Sequence, residues 1–339
     1  MIDELLGHHG DRDALPGLVD LAVNVRAGTP PAWLREEIAA ADLARYPDQA
    51  EALRAVARRH GRRTDEVLLT AGAAEAFVLI ARAFAGRSAL VVHPQFTEPE
   101  VALRVAGHRV ERLLLEWPFV LDPRLVDPAA ELVVVGNPTN PTSVLHPAAV
   151  LRGLRRDDRL VVVDEAFADC VPGEPESLAD GDLAGLIVIR SLTKTWGLAG
   201  LRVGYVLAAA DVIDALRSVQ HAWPVSAPAL AACVAVSRPA AVAEADAWAR
   251  KLETDRSGLA AELAALPGVR VVPGGRASFL LLDTGRPGVR ERLHDHGFAV
   301  RRGETFPGLS GDWVRVAVRD PATNHRFTAA LAAVVSEES

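Results

Sequence analysis

The sequence predicts an α/β protein, with a large domain around a mostly parallel sheet followed by a smaller α+β domain. Three observations carry this prediction. Between about residues 65 and 210, short apolar runs alternate with helical patterns, as parallel strands joined by crossover helices require. Those runs are rich in Val, Leu and Ile with little polar alternation, as strands covered on both faces are. At 339 residues the chain exceeds the size at which single cores stop growing, so a second lobe is expected.

Taken in order, residues 1–30 show little regular pattern and are expected to form an arm, and residues 31–225 form the large domain. Its strands are read at EVLLTAG (66–72), SALVVHP (88–94), ELVVVGNP (131–138), RLVVVDEA (159–166), GLIVIRSL (185–192) and RVGYVLAA (202–209). Helical patterns fill the intervals at 73–84, 147–155 and 211–219. Residues 226–339 form the smaller domain, opened by one long helical stretch over about 226–266. It continues with VRVVPGG, SFLLLD, a helix near 287–297, FAVRR, WVRVAVR and a final helix.

Half the residues are hydrophobic and 24% are charged, a profile that excludes a disordered chain. The net charge is −7 and no basic stripe with interleaved aromatics occurs, so nucleic acid is not an expected partner. The cluster RRHGRR (58–63) reads as a solvated helix end. MIDELLGHHGDRD lacks the regions of a signal peptide, and no apolar run reaches the ~20 residues that span a bilayer, so no membrane partner is expected. With Cys170 and Cys233 alone, a disulfide framework is not indicated and a cytoplasmic location is expected. His8-His9 and His294-Asp295-His296 lack companion ligands at metal-binding spacing and are expected at the surface. No GxxxxGK or strand-following GxGxxG is present, which removes the common nucleotide sites.

In parallel sheets ligands bind beyond the carboxyl ends of the strands. There the sequence places Asn137 and Asn140, then Asp164 and Glu165, then Ser191, Thr193 and Lys194. Gly72, Ala73 and Ala74 open a helix whose free N–H groups and dipole suit a phosphate, with Ser191 and Arg202 able to join them. The same small residues also fit a plain strand-to-helix turn. Lys194 and Lys251 are the only lysines among 37 basic side chains. An amine condenses with an aldehyde and shuttles protons, which a guanidinium does not, so the lysine retained at a strand end points to chemistry. Asp164 suits a cofactor whose pyridine nitrogen must stay protonated, or alternatively caps the following segment.

Together, NPT, DEAF and SLTK eight residues before Arg202 resemble fold type I pyridoxal-phosphate enzymes of the class I/II aminotransferase superfamily. The similarity runs from NVRAGTPP (24–31) and RYPD (45–48) to RVAVRD (315–320), and is strongest to the histidinol-phosphate aminotransferase and threonine-phosphate decarboxylase branch. It implies a seven-stranded, mostly parallel sheet, a homodimer, and a pyridoxal 5'-phosphate cofactor attached to Lys194. By position, Asp164 pairs with the pyridine nitrogen, Asn140 with the ring hydroxyl, and Phe96 stacks on the ring. Gly72, Ala73, Ala74, Ser191 and Arg202 hold the phosphate, which Tyr46 reaches from the neighbouring subunit. Arg315 takes the substrate α-carboxylate and Arg301 a substrate phosphate, while Asn24 and Gly28 lie in an arm over the substrate. Surface positions would otherwise be the expectation for these arginines, and packing for Phe96. Two positions depart from the aminotransferase pattern: Phe167 replaces the usual Tyr, and Thr193 the usual Ser. Both are similar to the decarboxylase, so the resemblance favours decarboxylation of threonine phosphate, with transamination of the histidinol-phosphate type as the alternative.

Overall fold

The computed structural model describes residues 4–336. In chain order its elements begin with β1 (Val19–Asp20), α1 (Ala32–Ala39), α2 (Ala50–Arg59), β2 (Val67–Thr70), α3 (Ala73–Ala83), β3 (Ala89–His93), α4 (Glu98–Val105) and β4 (Val110–Leu114). There follow β5 (Leu132–Gly136), α5 (Ala148–Arg152), β6 (Leu160–Asp164), β7 (Leu186–Ser191), β8 (Gly204–Ala208), α6 (Ala210–Ser218), α7 (Ala227–Val236) and α8 (Pro239–Ala264). The chain closes with β9 (Arg270–Val271), β10 (Phe279–Asp283), α9 (Val289–Asp295), β11 (Phe298–Ala299), β12 (Arg301–Arg302), β13 (Trp313–Ala317) and α10 (Pro321–Ser336).

Seven strands form the large sheet in the order β2-β8-β7-β6-β5-β3-β4. Only β8 runs against its neighbours. Successive side chains of a strand face opposite ways, and both faces are packed. Val133, Val135, Val161 and Val163 join one core with Cys233 of α7, whereas Val134 and Val162 join another with Phe77 and Ile80 of α3. The six strands read from apolar runs are all present. The seventh, β4, escapes that criterion because it is an amphipathic edge strand whose Glu111, Arg112 and Leu114 are exposed.

A four-stranded antiparallel sheet, β12-β13-β10-β9, packs with α10 around Phe279, Val316, Phe327 and Leu331. The expected single helix over 226–266 is two helices. Arg238 is extended before Pro239, whose ring lacks the N–H that would continue α7. Within FAVRR, Phe298–Ala299 pairs in parallel with Val19–Asp20, whereas Arg301–Arg302 joins β13. The beginning of the chain is thereby tied to the C-terminal sheet, and Arg319 reinforces the tie by donating to the carbonyls of Asp20, Val23 and Val25.

RRHGRR is not the solvated helix end that its charge suggests. Arg59 pairs with Asp169 at 2.9 Å, His60 meets the Tyr205 hydroxyl at 2.8 Å, and Arg62 donates to the Ala179 carbonyl. Asp169 is also bound by the buried Arg190, which contacts Glu165 and Glu174 as well, so a network of alternating charge fixes α2 against the sheet.

Candidate active site

The carboxyl end of the large sheet begins with a seat for an anion. Gly72 is the N-cap of α3 at φ +81, a conformation that favours glycine, and a Cβ there would stand 2.9 Å from Arg202 Nη2. The Arg202 guanidinium therefore lies against the start of α3, where first-turn N–H groups lack helical acceptors and the dipole is positive. Gly204 is paired with both Thr70 and Ser191. A Cβ on it would sit 2.6 Å from the Arg190 carbonyl oxygen and 3.3 Å from the Ala73 nitrogen, so only glycine allows the two strand ends to approach. Ser191 Oγ lies 2.8 Å from Thr193 Oγ1, and both residues are buried. Gly72, Ala73, Ala74, Ser191 and Arg202 are thus brought together.

Asp164 ends β6, with Oδ1 accepting from the Ala166 N–H at 3.0 Å. Burial pushes its carboxyl up to about 6, against the Ala166 bond and the attraction of Lys194. Lys194 follows β7 in a buried loop whose backbone is tied to the arm, since the Arg26 N–H donates to the Lys194 carbonyl at 3.0 Å. Its amine is lowered to about 8 by burial first, then by the positive charges of Arg315 and Arg202, with Asp164 and Asp11 opposing. An amine and a carboxylate that keep each other charged beside an anion seat can bind an aldehyde-bearing anion and move protons.

Arg315 of β13 is buried and reaches Asn140 Oδ1 through Nη1 and the Ala22 carbonyl through Nη2, each at 2.5 Å. Asn24, its amide oriented by the network, accepts from Arg315 Nη1 at 3.0 Å. Arg301 stands opposite Arg315 in the β12–β13 register, so the two guanidiniums share one face of the sheet. Phe96 lies 6.3 Å from the Phe77 ring and 5.6 Å from that of His9.

Other expected site residues fall elsewhere in the cleft or outside it. Phe167 packs edge-on against Phe279 at 4.9 Å, forming an apolar wall. Gly28 has φ +70 with no neighbour within reach of an added Cβ. Tyr46 is 77% exposed and stacks on Trp223 with centroids 4.4 Å apart; within this chain it does not meet the anion seat.

His8 and His9 depart from the expected surface position. His8 Nε2 contacts Asp13 at 3.1 Å and His9 Nε2 contacts Glu98 at 2.7 Å, because residues 6–13 fold back against α4 and the cleft. Asp13 went unread in the sequence, where one carboxylate among 44 acidic residues gives no signal. Its carboxylate is fully enclosed and accepts from Arg301 Nη1 at 2.9 Å and Arg302 Nε at 3.1 Å. Despite burial, these cations and His8 hold it below the usual carboxylate range. Among the described residues no group of His, Cys, Asp and Glu could hold a metal ion, and no helix is long and apolar enough to cross a membrane.

The sequence pattern of the family described as aminotransferase class I and II matches residues 16–331, and the chain belongs to that family. A histidinol-phosphate aminotransferase of Mycobacterium tuberculosis is 50% identical over 317 residues, covering 92% of this chain and 86% of its own. The threonine-phosphate decarboxylase of Salmonella typhimurium is 31% identical over 341 residues, covering 94% and 92%. The crystal structure of the histidinol-phosphate aminotransferase from Clostridium acetobutylicum superposes with a TM-score of 0.85 at 24% identity, covering 94% of this chain and 99% of that one. Both names of the branch are therefore represented among the relatives, with the aminotransferase nearer in identity than the decarboxylase.

Proposed function

We infer that the chain is a pyridoxal-phosphate-dependent enzyme acting on a small, phosphorylated amino substrate. The observation that carries this reading is the Lys194–Asp164 pair beside the seat of Gly72, Ala73, Ala74, Ser191 and Arg202. That seat fits the cofactor's phosphate, since the Arg202 guanidinium stands at the glycine-capped start of α3, where a Cβ on Gly72 would lie 2.9 Å from Nη2. When bound, pyridoxal phosphate supplies an aldehyde that condenses with amines and a ring that draws electrons from the amino-bearing carbon.

The chain's own groups would do the rest. With a pKa near 6, Asp164 is mostly ionised at neutral pH and can hold a proton on the ring nitrogen. Asn140 would meet the ring hydroxyl and Phe96 one face of the ring. Lys194, near 8, is poised to take and return a proton at Nζ. Arg315, held by Asn24 and Asn140, offers a fork for a carboxylate, and Arg301 lies beside it for a second anion. Tyr46, exposed beside Trp223, would complete the seat of a second copy in a homodimer.

Decarboxylation of a phosphorylated amino acid of the threonine-phosphate kind is the first reading. It is supported by Phe167, which brings no hydroxyl to the site, by Thr193, and by the Arg315 fork. Amino transfer of the histidinol-phosphate kind is the second, supported by the 50% identity to a protein of that name. The cofactor-loaded protein supplied with L-threonine O-3-phosphate is expected to release CO2. Histidinol phosphate with 2-oxoglutarate yielding glutamate, with no CO2 from the first substrate, would replace the first reading with the second. Failure to develop a near-visible absorption band on adding pyridoxal phosphate would sink both. Lys194→Ala is expected to abolish turnover with an unchanged far-ultraviolet circular dichroism spectrum.

A further inference from the structure

The two cleft arginines are not equally available. Arg315 is held by neutral oxygens, whereas Arg301 spends Nη1 on the Asp13 carboxylate and Nη2 on the His8 carbonyl, both at or below 2.9 Å. Asp13 also binds Arg302 Nε and lies 3.7 Å from Arg290 Nη1. On their outer sides Arg302 approaches Glu304 at 3.6 Å and Arg290 pairs with Glu291. Three guanidiniums thus surround one enclosed carboxylate next to the carboxylate fork. The segment bearing it is pinned at one end by Thr97 Oγ1 donating to the Leu6 carbonyl, and closes at the other into a turn in which the Asp13 N–H donates to the Gly10 carbonyl. At Gly10 an added Cβ would stand 3.5 Å from Arg315 Nη2, so this segment passes directly over the fork.

We propose that Asp13 is a specificity-determining residue: it is the resident anion of the Arg301 seat, and it makes that seat accept dianions while rejecting single carboxylates. An incoming carboxylate brings the same charge and the same two oxygens as Asp13. It must also compete with a tethered rival whose effective concentration is on the order of millimolar. Exchange then gains nothing. A phosphate or phosphonate dianion brings one more charge and a third oxygen, and the extra charge-assisted bonds to Arg301, Arg302 and Arg290 drive the exchange. This inference rests on the first, decarboxylating reading of a phosphorylated substrate, since amino transfer would require the dicarboxylate 2-oxoglutarate to occupy the same cleft. It adds that a dicarboxylate spanning Arg315 and Arg301 is a poor ligand, although its length fits.

The test uses the cofactor-loaded protein, so that the cofactor's phosphate seat is filled, and two unreactive probes of equal length, glutarate and 4-phosphonobutyrate. By calorimetry, the unaltered protein is expected to bind the phosphonate at least about tenfold more tightly, the equivalent of one charge-assisted hydrogen bond. Asp13→Asn should tighten glutarate about tenfold and largely abolish the preference, while Asp13→Glu retains it. An unchanged ratio in Asp13→Asn, or equal binding of both probes by the unaltered protein, overturns the role of Asp13 and leaves the phosphorylated-substrate reading standing. Binding of neither probe by the unaltered protein overturns both. Should Asp13→Asn fail to fold, as read from its near-visible band, the unaltered protein still decides. The phosphonate, by releasing Asp13, should speed tryptic cleavage after the exposed Arg12, followed by mass spectrometry, and glutarate should not. Equal rates with both probes would refute the exchange.

Discussion

Replacing Lys194 with Met in the cofactor-free protein should stabilise it, and the gain should vanish at high pH. The Lys194 amine falls from 10.5 to about 8 in the folded chain, chiefly through burial. At 1.36 kcal/mol per pKa unit, keeping that ammonium inside costs about 3 kcal/mol when both folded and unfolded chains are protonated. The sign follows from proton counts. Below pH 8 the cost is fully present; between 8 and 10.5 the folded chain sheds its proton while the unfolded chain keeps it, so the wild-type protein gains stability; above 10.5 nothing remains. That cost already includes the opposing attraction of Asp164, so the net gain is about 3 kcal/mol at pH 7. Urea unfolding of both proteins at pH 7 and pH 10 measures the difference. A variant less stable than wild type at pH 7, or a gain equally large at pH 10, would refute the account of Lys194 as a desolvated amine.

Gly72→Ala must both adopt φ +81 and displace Arg202 Nη2, which stands 2.9 Å from the new Cβ. Its affinity for pyridoxal phosphate, titrated by the near-visible band, should fall about tenfold or more, consistent with loss of a charged hydrogen bond. Burial pushes both the Cys170 and Cys233 thiols up to about 12, so neither should react with a disulfide reagent at pH 8 until the chain is unfolded. Arg190→Met leaves Asp169 and Glu165 buried without their shared cation and should cost about 3–5 kcal/mol in urea unfolding, while a loss under 1 kcal/mol would show the network to be dispensable.

Much of the fold was legible because buried parallel strands advertise themselves as uninterrupted Val and Leu runs. Edge strand β4 was not, since half of it faces water and its Glu and Arg break the run. The helix break at Pro239 was written in the sequence but outweighed by the Ala-rich stretch on either side. Within the site, Lys194, Asp164 and the Gly72 turn were legible because strand ends and helix starts are local features. What Arg59, His8, His9 and Asp13 do was not, because their partners lie 110, 5, 89 and 288 residues away and pairing at such separations leaves no mark in either segment. His8 shows that even a short separation hides when the turn between depends on distant arginines.

The pairing of Val19–Asp20 with Phe298–Ala299 also sets an order on biosynthesis. Ribosomes extend chains at about 5–20 residues per second, so the early strand waits on the order of tens of seconds for the partner that will hold it. The sheet strands that end at Asp164 and lead into Lys194 are complete well before then. The anion seat can therefore form on a nascent chain still open to solvent, whereas the cover bearing Asp13 closes only once Arg301, Arg302 and Arg319 have emerged. Formation of the anion seat and closure of the cleft can therefore fall at separate times, in that sequence.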